Sequence, residues 1–284
     1  MCRTNSTKSI KELGANFLFE HLENINIPSG FNSFDKQFRG LKKGGLYVFA
    51  SRPAMGKTAF ALSMVLRMVK SESTQVLIFS LEMSSPQLFR RIMKVELELE
   101  NVHTKNHQSL EKGNLIDMKG LERMYNYPIW INDENSISAE LLIDKIEQLH
   151  RIHPLNVVLV DYIQLLSDCN GQEVPKRVLS LLSQFAFQKN IVIVVTSQLP
   201  REVEKSKDKI PNLNDLDSLG PFSEHAYGIG FLHRPEIYGI LQSQNGMSTN
   251  GKAHLYYYKD QDPNAEIIEF NFDCSIGKYS DVNS

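Results

Sequence analysis

The central segment of the chain reads Ser51-Arg52-Pro53-Ala54-Met55-Gly56-Lys57-Thr58, preceded by the apolar run 45–50 and followed by a helix-like run, 59–69. This order of elements is typical of a phosphate-binding loop between a strand and a helix. In such a loop, backbone N–H groups and the positive end of the helix surround an anion, while the lysine reaches the outer phosphates. The hydroxyl that follows the lysine takes a magnesium ion. Nucleotide binding is therefore the first function that the sequence predicts.

The segment departs at one position from the pattern G-x-x-x-x-G-K-[ST], because Ser51 stands where the pattern has glycine. That position needs a compact backbone near the phosphates, and serine is small enough that we expect only a modest cost. The alternative is an ordinary strand-to-helix turn with a chance Gly-Lys-Thr. The flanking strand-like and helix-like runs favour the phosphate loop, since a chance match would lack them.

The composition limits the class of protein. Of the 284 residues, 42% are hydrophobic and 23% are charged, which is typical of a soluble globular chain with a sizeable core. The formal charge of −2 neither supports nor excludes a nucleic-acid partner, which would need a local basic patch. No apolar run is long enough to span a bilayer, and the polar start, 1–11, has no apolar signal-peptide region. Three widely spaced cysteines indicate neither a disulfide framework nor a zinc site, so we expect a cytoplasmic protein without a membrane segment.

Short apolar runs alternate with helix-like segments along most of the chain. After the phosphate loop, the strand-like runs are 75–80, 127–132, 157–160 and 191–197. Two alternating strands, 253–259 and 266–271, then read as a hairpin linked across Asp262-Pro263-Asn264. The pattern predicts one α/β domain with a mainly parallel sheet that ends in a C-terminal antiparallel hairpin.

Three polar residues lie at or within two residues of the ends of predicted strands. Glu82 comes after the run 75–80, Asp161 after 157–160 and Gln198 after 191–197. In an open parallel sheet, the carboxyl ends of the strands share one edge, where ligands bind. We therefore expect Glu82 to share a crevice with the phosphate loop and Asp161 to orient magnesium through its water shell. We expect Gln198 to sense the terminal phosphate.

Two further segments each allow two interpretations. Apolar residues at three- and four-residue steps predict an amphipathic helix at 10–24, which either folds onto its own domain or docks on a neighbouring subunit. The basic stretch 201–209 contains Arg201, Lys205, Lys207 and Lys209. It is either a solvated surface loop or a contact for nucleic acid.

Five segments of the chain together carry a family pattern. They are Pro28-Ser29-Gly30-Phe31 leading to Leu41-Lys42-Lys43-Gly44, the loop 51–58, Ser80-Leu81-Glu82-Met83-Ser84, Val160-Asp161-Tyr162-Ile163-Gln164-Leu165, and Thr196-Ser197-Gln198-Leu199-Pro200-Arg201. In this order they resemble the RecA-like motor domain of DnaB-type replicative helicases, over about residues 26–272. The resemblance implies a RecA-like P-loop NTPase fold with helices on both faces of the sheet. It also implies a linker-like helix in 1–26 and an ATPase domain in 27–284.

The resemblance implies ATP hydrolysis with Mg²⁺ as cofactor. Lys57 would hold the β- and γ-phosphates, Thr58 and Asp161 would hold magnesium, and Glu82 would activate the attacking water. Gln198 would report the γ-phosphate to the loops that face DNA. The other residues that would surround the nucleotide are Arg52, Pro53, Ala54, Met55 and Gly56.

The resemblance also implies partners. It predicts a hexameric ring that encloses single-stranded DNA, with a helicase loader or a primase as a further partner. In the family the linker helix docks on the adjacent subunit, which favours that interpretation of 10–24. The candidate DNA contacts are Arg201, Lys205, Lys207, Lys209 and Gly220.

Two positions differ from the family pattern. Where the family has Lys-x-Arg, with an arginine finger for the neighbour's ATP site, the chain has Lys259-Asp260-Gln261, so Lys259 is the remaining trans-acting candidate. Where the family has a loop that touches DNA phosphates, the chain has Asp217, which would repel them.

Two functions therefore stay open at this point. The retained Lys57, Glu82 and Asp161 favour an ATP-dependent DNA helicase that translocates on single-stranded DNA during replication. Gln261 and Asp217 favour a divergent regulatory or accessory ATPase, which would bind nucleotide and a helicase partner but unwind poorly.

Overall fold

The computed structural model describes residues 9–10, 26–72, 74–98, 118–169, 173–200, 209–242, 246–259, 262 and 264–282, with the backbone alone for 71, 72 and 118. The predicted helix at 10–24 lies outside these residues beyond position 10. Arg201, Lys205, Lys207 and Gln261 also lie outside them.

The strands of the described ranges form one large sheet and one short ribbon. They are β1 (Asn26–Ile27), β2 (Leu41–Lys42), β3 (Leu46–Ser51), β4 (Val76–Ser80), β5 (Ile129–Asn132), β6 (Val157–Asp161), β7 (Val192–Gln198), β8 (Gly228–His233), β9 (Lys252–Lys259), β10 (Glu266–Asp273) and β11 (Lys278–Asp281). The large sheet has the order β11-β10-β9-β8-β3-β7-β6-β4-β5, and β1 pairs with β2 in the ribbon.

Helices connect these strands. They are α1 (Asn32–Phe38), α2 (Lys57–Glu72), α3 (Ser85–Glu96), α4 (Met118–Tyr125), α5 (Ala139–His150), α6 (Lys176–Lys189), α7 (Leu213–Asp217) and α8 (Phe222–His225). Among the helices of the described residues, none combines the length and the apolar character needed to cross a membrane.

The sheet is mainly parallel, as the sequence predicts. Strand β3 pairs in parallel with β7 and β8, β4 pairs in parallel with β5 and β6, and β6 pairs in parallel with β7. Every residue of β3, β4 and β6 is buried. Strands covered on both faces read as continuous apolar runs, which is why these segments stand out in the sequence.

Helices cover both faces of the sheet, which confirms the predicted architecture. Alternate side chains of each strand point to opposite faces. On one face, Tyr47 and Phe49 of β3 pack in a core that includes α1, α2 and α3. On the other face, Leu46 and Val48 pack in a core that includes α5 and α6. The phosphate loop is thereby anchored between a fully buried strand and a helix whose apolar side chains are buried.

The C-terminal antiparallel hairpin is confirmed, since β9 and β10 pair from Tyr257 opposite Glu266 to Lys252 opposite Asn271. The structure adds β11, which pairs antiparallel with β10. The sequence Lys278-Tyr279-Ser280-Asp281 has too little apolar character to predict a strand, and its pairing with β10 gives it that conformation.

Parallel pairing brings the ends of four strands to one edge of the sheet. In the β3–β7 ladder Ser51 lies opposite Gln198, and in the β4–β6 ladder Ser80 lies opposite Asp161. The phosphate loop, Glu82, Asp161 and Gln198 therefore share the carboxyl edge of the sheet, as expected for an open α/β fold.

Candidate active site

The phosphate loop leaves β3 at Ser51 and enters α2 at Lys57. Ser51 is the last residue of an extended strand, so this position needs no left-handed conformation and serine replaces glycine there without backbone strain. The left-handed positions of the loop are Ala54, with φ 66°, and Gly56, with φ 89°. A Cβ at Gly56 would also lie 3.0 Å from the Tyr279 hydroxyl oxygen, so packing and backbone conformation both select glycine here.

A cleft of about 590 Å³ opens over this loop. Glu82 and Gln198 line it together with the loop, so the structure brings the predicted site residues together. The far end of the cleft is formed by α3 and by the turn between β10 and β11. The described lining residues at that end are Arg91, Lys94, Val95, Phe272, Cys274, Ser275, Ile276 and Gly277.

Thr58 and Asp161 are in direct contact. The Thr58 hydroxyl donates to Oδ2 of Asp161 at 2.7 Å, and the Thr196 hydroxyl of β7 donates to Oδ1. Asp161 is 6% exposed, and its two carboxylate oxygens accept hydrogen bonds from the hydroxyls of Thr58, which lines the cleft, and Thr196. A carboxylate beside a hydroxyl in this position has the oxygen ligands that Mg²⁺ prefers.

The donor set fits a magnesium ion that is completed by a nucleotide. In the part of the chain that the structure describes, no group of three or more His, Cys, Asp or Glu side chains could hold a metal ion alone. Mg²⁺ usually binds to one or two protein oxygens plus substrate phosphates and water, and Thr58 and Asp161 could supply two such oxygens.

Lys57 is half-buried, and the charges of Asp161 and Glu82 both act on its ammonium. Burial lowers the pKa of its ammonium, while the charges of Asp161 and Glu82 oppose that shift. Its Nζ lies 4.1 Å from the ring centroid of Tyr162, in a cation–π contact. An ammonium that has lost part of its hydration gains more from an incoming phosphate than a fully solvated one.

Glu82 follows β4 by two residues and is exposed in the cleft. Its carboxylate is therefore accessible to a water molecule, as a general base requires.

Gln198, at the end of β7, is held through its backbone by Gln164. The amide Nε2 of Gln164 donates to the Gln198 carbonyl at 3.1 Å and to the Ser197 hydroxyl at 2.7 Å. The Gln198 N–H donates back to Oε1 of Gln164 at 3.2 Å. The buried Gln164 thus ties the segment after Asp161 to the strand end that carries Gln198.

Other loop residues have structural partners. The buried Arg52 directs Nη1 at the Leu199 carbonyl at 3.4 Å. Arg234 and Tyr279, two residues without a role in the sequence prediction, contact the carbonyls of Ala54 and Met55. The sequence gives only a weak signal for them, because Arg234 follows the apolar stretch 227–232 after one residue and Tyr279 lies in a polar segment.

Two of the predicted DNA contacts, Lys209 and Gly220, lie in the described residues, as do Asp217 and the trans-acting candidate Lys259. Lys209 lies with its Nζ 5.0 Å from the ring centroid of Tyr238. Gly220 is buried, and its N–H donates to the Asp217 carbonyl at 3.2 Å. The Asp217 carboxylate accepts the N–H of Ser223 at 3.0 Å, so Asp217 satisfies a backbone donor in the first turn of the short helix α8. Lys259 ends β9 opposite Gly228.

Comparison with known proteins identifies the family. Residues 26–281 match the model described as DnaB-like helicase C terminal domain. The chain is 30% identical over 265 residues to the probable plasmid replicative DNA helicase of Chlamydia psittaci, covering 89% of this chain and 55% of the relative. The chain spans about half the length of the curated relatives it matches.

Solved structures agree with that assignment. The ATPase domain of G40P has a TM-score of 0.79 at 25% identity, covering 98% of this chain and 100% of that one. A DnaB-like replicative helicase, solved with its interactions with primase, shares the fold with a TM-score of 0.80 at 24% identity, covering 98% of this chain and 68% of that one. On its fold, its site and the match over 26–281, the chain belongs to the DnaB-like helicase C-terminal domain family.

Proposed function

We propose that the chain is the motor part of an ATP-dependent DNA helicase that translocates on single-stranded DNA during replication. The observation that carries the proposal is that Lys57, Thr58 and Glu82 line one cleft of a RecA-like sheet, with Asp161 in direct contact with Thr58. The relatives are named replicative DNA helicases, and nothing in the comparisons favours the regulatory ATPase.

Each of these side chains has a role in hydrolysis. The Lys57 ammonium would bind the β- and γ-phosphates, where negative charge spreads in the transition state. Glu82 would accept a proton from the water that attacks the γ-phosphorus, while ADP leaves with the bridging oxygen. Gln198 would contact the γ-phosphate and pass its presence to the segment 199–209. Mg²⁺ bound to Thr58 and Asp161 would neutralise charge on the phosphates.

The partners follow from the same family. We propose a hexameric ring in which Lys259 of one subunit reaches the neighbouring nucleotide, and in which the segment 10–24 docks on that neighbour. Single-stranded DNA would lie against Arg201, Lys205, Lys207 and Lys209, with Gly220 shaping the adjacent turn. A primase is the further partner named for one structural neighbour, and a loader is the alternative.

A reducing compartment suits this role. The structure describes Cys169 and Cys274, and both are free thiols. Cytosolic proteins keep such thiols reduced, so we propose that the protein works in the cytoplasm.

Hydrolysis of ATP with and without single-stranded DNA tests the proposal. We expect release of phosphate that needs Mg²⁺ and rises when DNA is added. Absence of hydrolysis in both conditions would contradict the assignment of the site. Hydrolysis that does not change when DNA is added would support the assignment of an ATPase and contradict the assignment of a motor that translocates on DNA.

A further inference from the structure

Two side chains from the C-terminal half of the sheet contact the outer side of the phosphate loop. The Tyr279 hydroxyl donates to the carbonyl oxygen of Met55 at 2.7 Å. Nη1 of Arg234 donates to the carbonyl oxygen of Ala54 at 3.3 Å. Neither side chain is among the described residues that line the cleft, so both contact the loop on the side that faces away from the cleft.

Arg234 is held in place before it reaches the loop. Its Nε donates to Oε1 of Glu236 at 3.1 Å, and Oε2 of Glu236 accepts the Gly251 N–H at 2.7 Å. The guanidinium carbon lies 4.1 Å from the ring centroid of Phe272. Because the Arg234 side chain is only 9% exposed, its position is fixed by protein contacts and not by solvent.

Tyr279 is equally fixed. It is fully buried, its ring centroid lies 4.7 Å from that of Phe272, and its N–H donates to the Ser63 hydroxyl of α2 at 3.0 Å. Burial raises the pKa of the Tyr279 phenol, so it stays neutral and keeps the proton that it donates.

The orientation of a carbonyl also sets the orientation of the next N–H. The Met55–Gly56 peptide bond is trans, so the Gly56 N–H points away from the carbonyl that Tyr279 holds. Gly56 lines the cleft, and N–H groups at this end of a helix are the ones that receive phosphate. The peptide bond before Met55–Gly56 joins Ala54 to Met55, and Arg234 holds its carbonyl oxygen. The N–H of that peptide bond, on Met55, donates to the Arg52 carbonyl at 3.4 Å and so closes a turn within the loop.

We propose that Tyr279 and Arg234 are positioning residues that hold two consecutive carbonyls of the phosphate loop and thereby pre-organise it for a nucleoside triphosphate. The proposal rests on the proposed function, because it assigns how the same site binds its nucleotide. A pre-organised loop avoids the ordering cost that a loose loop incurs on binding. The phosphate contacts exist both before and during hydrolysis, so their loss changes KM and not kcat.

The test compares Tyr279→Phe with Tyr47→Phe. Both substitutions remove a buried phenol hydroxyl, but the Tyr47 hydroxyl accepts the Lys42 N–H at 2.7 Å, at the opposite end of β3. Affinity is measured by titration with a fluorescent ADP, and KM and kcat are measured from steady-state ATP hydrolysis. For Tyr279→Phe we expect about fivefold weaker ADP binding and a similar rise in KM, with kcat nearly unchanged. For Tyr47→Phe we expect wild-type affinity and a comparable loss of thermal stability.

Arg234→Lys is the second variant. A lysine keeps the positive charge beside Glu236, but one ammonium cannot replace the planar fork that joins Glu236 and Ala54. We expect the same pattern of raised KM and unchanged kcat, and this result carries the test if Tyr279→Phe does not fold.

Three outcomes are decisive. Weaker ADP binding in the two variants, with Tyr47→Phe unchanged, supports the proposal. If Tyr279→Phe and Arg234→Lys fold and keep the wild-type ADP affinity and KM, this proposal is overturned while the proposed function stands. A wild-type protein that binds no ADP overturns the proposed function, and this proposal falls with it.

Discussion

Thr58 and Asp161 are 103 positions apart in the chain, yet the Thr58 hydroxyl donates to Oδ2 of Asp161 at 2.7 Å. Thr58 lies in the first turn of α2, and Asp161 is the last residue of β6. The hydrogen bond therefore joins the end of the phosphate loop to the carboxyl end of a neighbouring part of the sheet. Two oxygens this close can bind the same cation. The contact between these two residues therefore depends on the packing of α2 against the sheet.

Asp161→Asn should lower kcat for ATP hydrolysis by about a hundredfold and raise the Mg²⁺ concentration needed for half-maximal rate. The amide keeps the shape of the side chain and an oxygen for Thr58, so folding should be retained. The measurement is the initial rate of phosphate release over a Mg²⁺ titration.

Asp168→Asn is the matched control. Oδ2 of Asp168 accepts the Ala139 N–H at 2.7 Å at the start of α5, so its role is structural. This variant should lose thermal stability and keep the wild-type Mg²⁺ dependence. An Asp161→Asn protein with that same Mg²⁺ dependence would rule out Asp161 as a ligand.

Glu82→Gln should abolish most hydrolysis while nucleotide still binds. The side chain is exposed in the cleft, so the isosteric change leaves folding intact and removes only the proton acceptor. Loss of a general base typically costs about 10²- to 10⁴-fold. Single-turnover hydrolysis and ADP titration separate the two effects. Glu140→Gln, an exposed change on α5, should behave as wild type, and equal rates in the two variants would remove Glu82 from the mechanism.

Lys57→Met should change the pH dependence of stability. Burial lowers the pKa of Lys57 below its ordinary value of 10.5, so between the lowered pKa and 10.5 the unfolded chain holds more protons than the folded one. Stability of the wild type therefore rises with pH in that window, and Lys57→Met lacks this rise. Chemical denaturation at several pH values up to 10 measures the difference between the two proteins. A constant difference would mean that Lys57 titrates normally in the folded protein.

Gly220→Ala should cost about 3 kcal/mol of unfolding free energy. Gly220 has φ +146°, and a Cβ there would lie 2.3 Å from the Val174 carbonyl oxygen. Gly239→Ala is the control, because Gly239 also has a positive φ, +72°, but no atom lies within 4 Å of the added Cβ. That change should cost about 1 kcal/mol, from backbone strain alone. Urea denaturation of the two variants tests the contrast, and equal losses would show that the close approach to Val174 is relieved without cost.

Neutralising Lys205, Lys207 and Lys209 with glutamine should weaken binding to single-stranded DNA. Three lost phosphate contacts should reduce the slope of log affinity against log salt by about 2. The measurement is fluorescence anisotropy of a labelled oligonucleotide at several salt concentrations. A control with the same charge change replaces one lysine on each of α1, α4 and α5, namely Lys36, Lys119 and Lys145. An unchanged slope in the first variant would place the DNA elsewhere.

The sequence predicts those parts of the fold and the site that depend on short stretches of consecutive residues. The buried strands β3, β4, β6 and β7 appear as apolar runs, and the polar residues at or just beyond their ends mark the ligand edge. Glu82, Asp161 and Gln198 could be placed there because parallel strands end on the same side.

The parts that the sequence does not predict depend on contacts between distant segments. Arg234 lies 180 residues from Ala54, and Tyr279 lies 224 residues from Met55, so their roles appear only when the order of β8, β10 and β11 in the sheet is known. The sequence predicts that Asp217 repels DNA phosphates, but its hydrogen bond to the Ser223 N–H at the start of α8 cannot be read from a polar turn. Gln164 belongs to the segment 160–165, which stands out in the sequence. Its hydrogen bonds to the Gln198 backbone, however, become visible only in the structure.

Strand unwinding tests the central claim most directly. A forked DNA substrate with a labelled strand is incubated with the protein, ATP and Mg²⁺, and hydrolysis is followed in the same reaction. The account predicts that the labelled strand is released with ATP and not in its absence, and that Glu82→Gln releases none. If the protein binds the forked substrate and hydrolyses ATP but releases no labelled strand, the result would contradict the assignment of a DNA helicase motor.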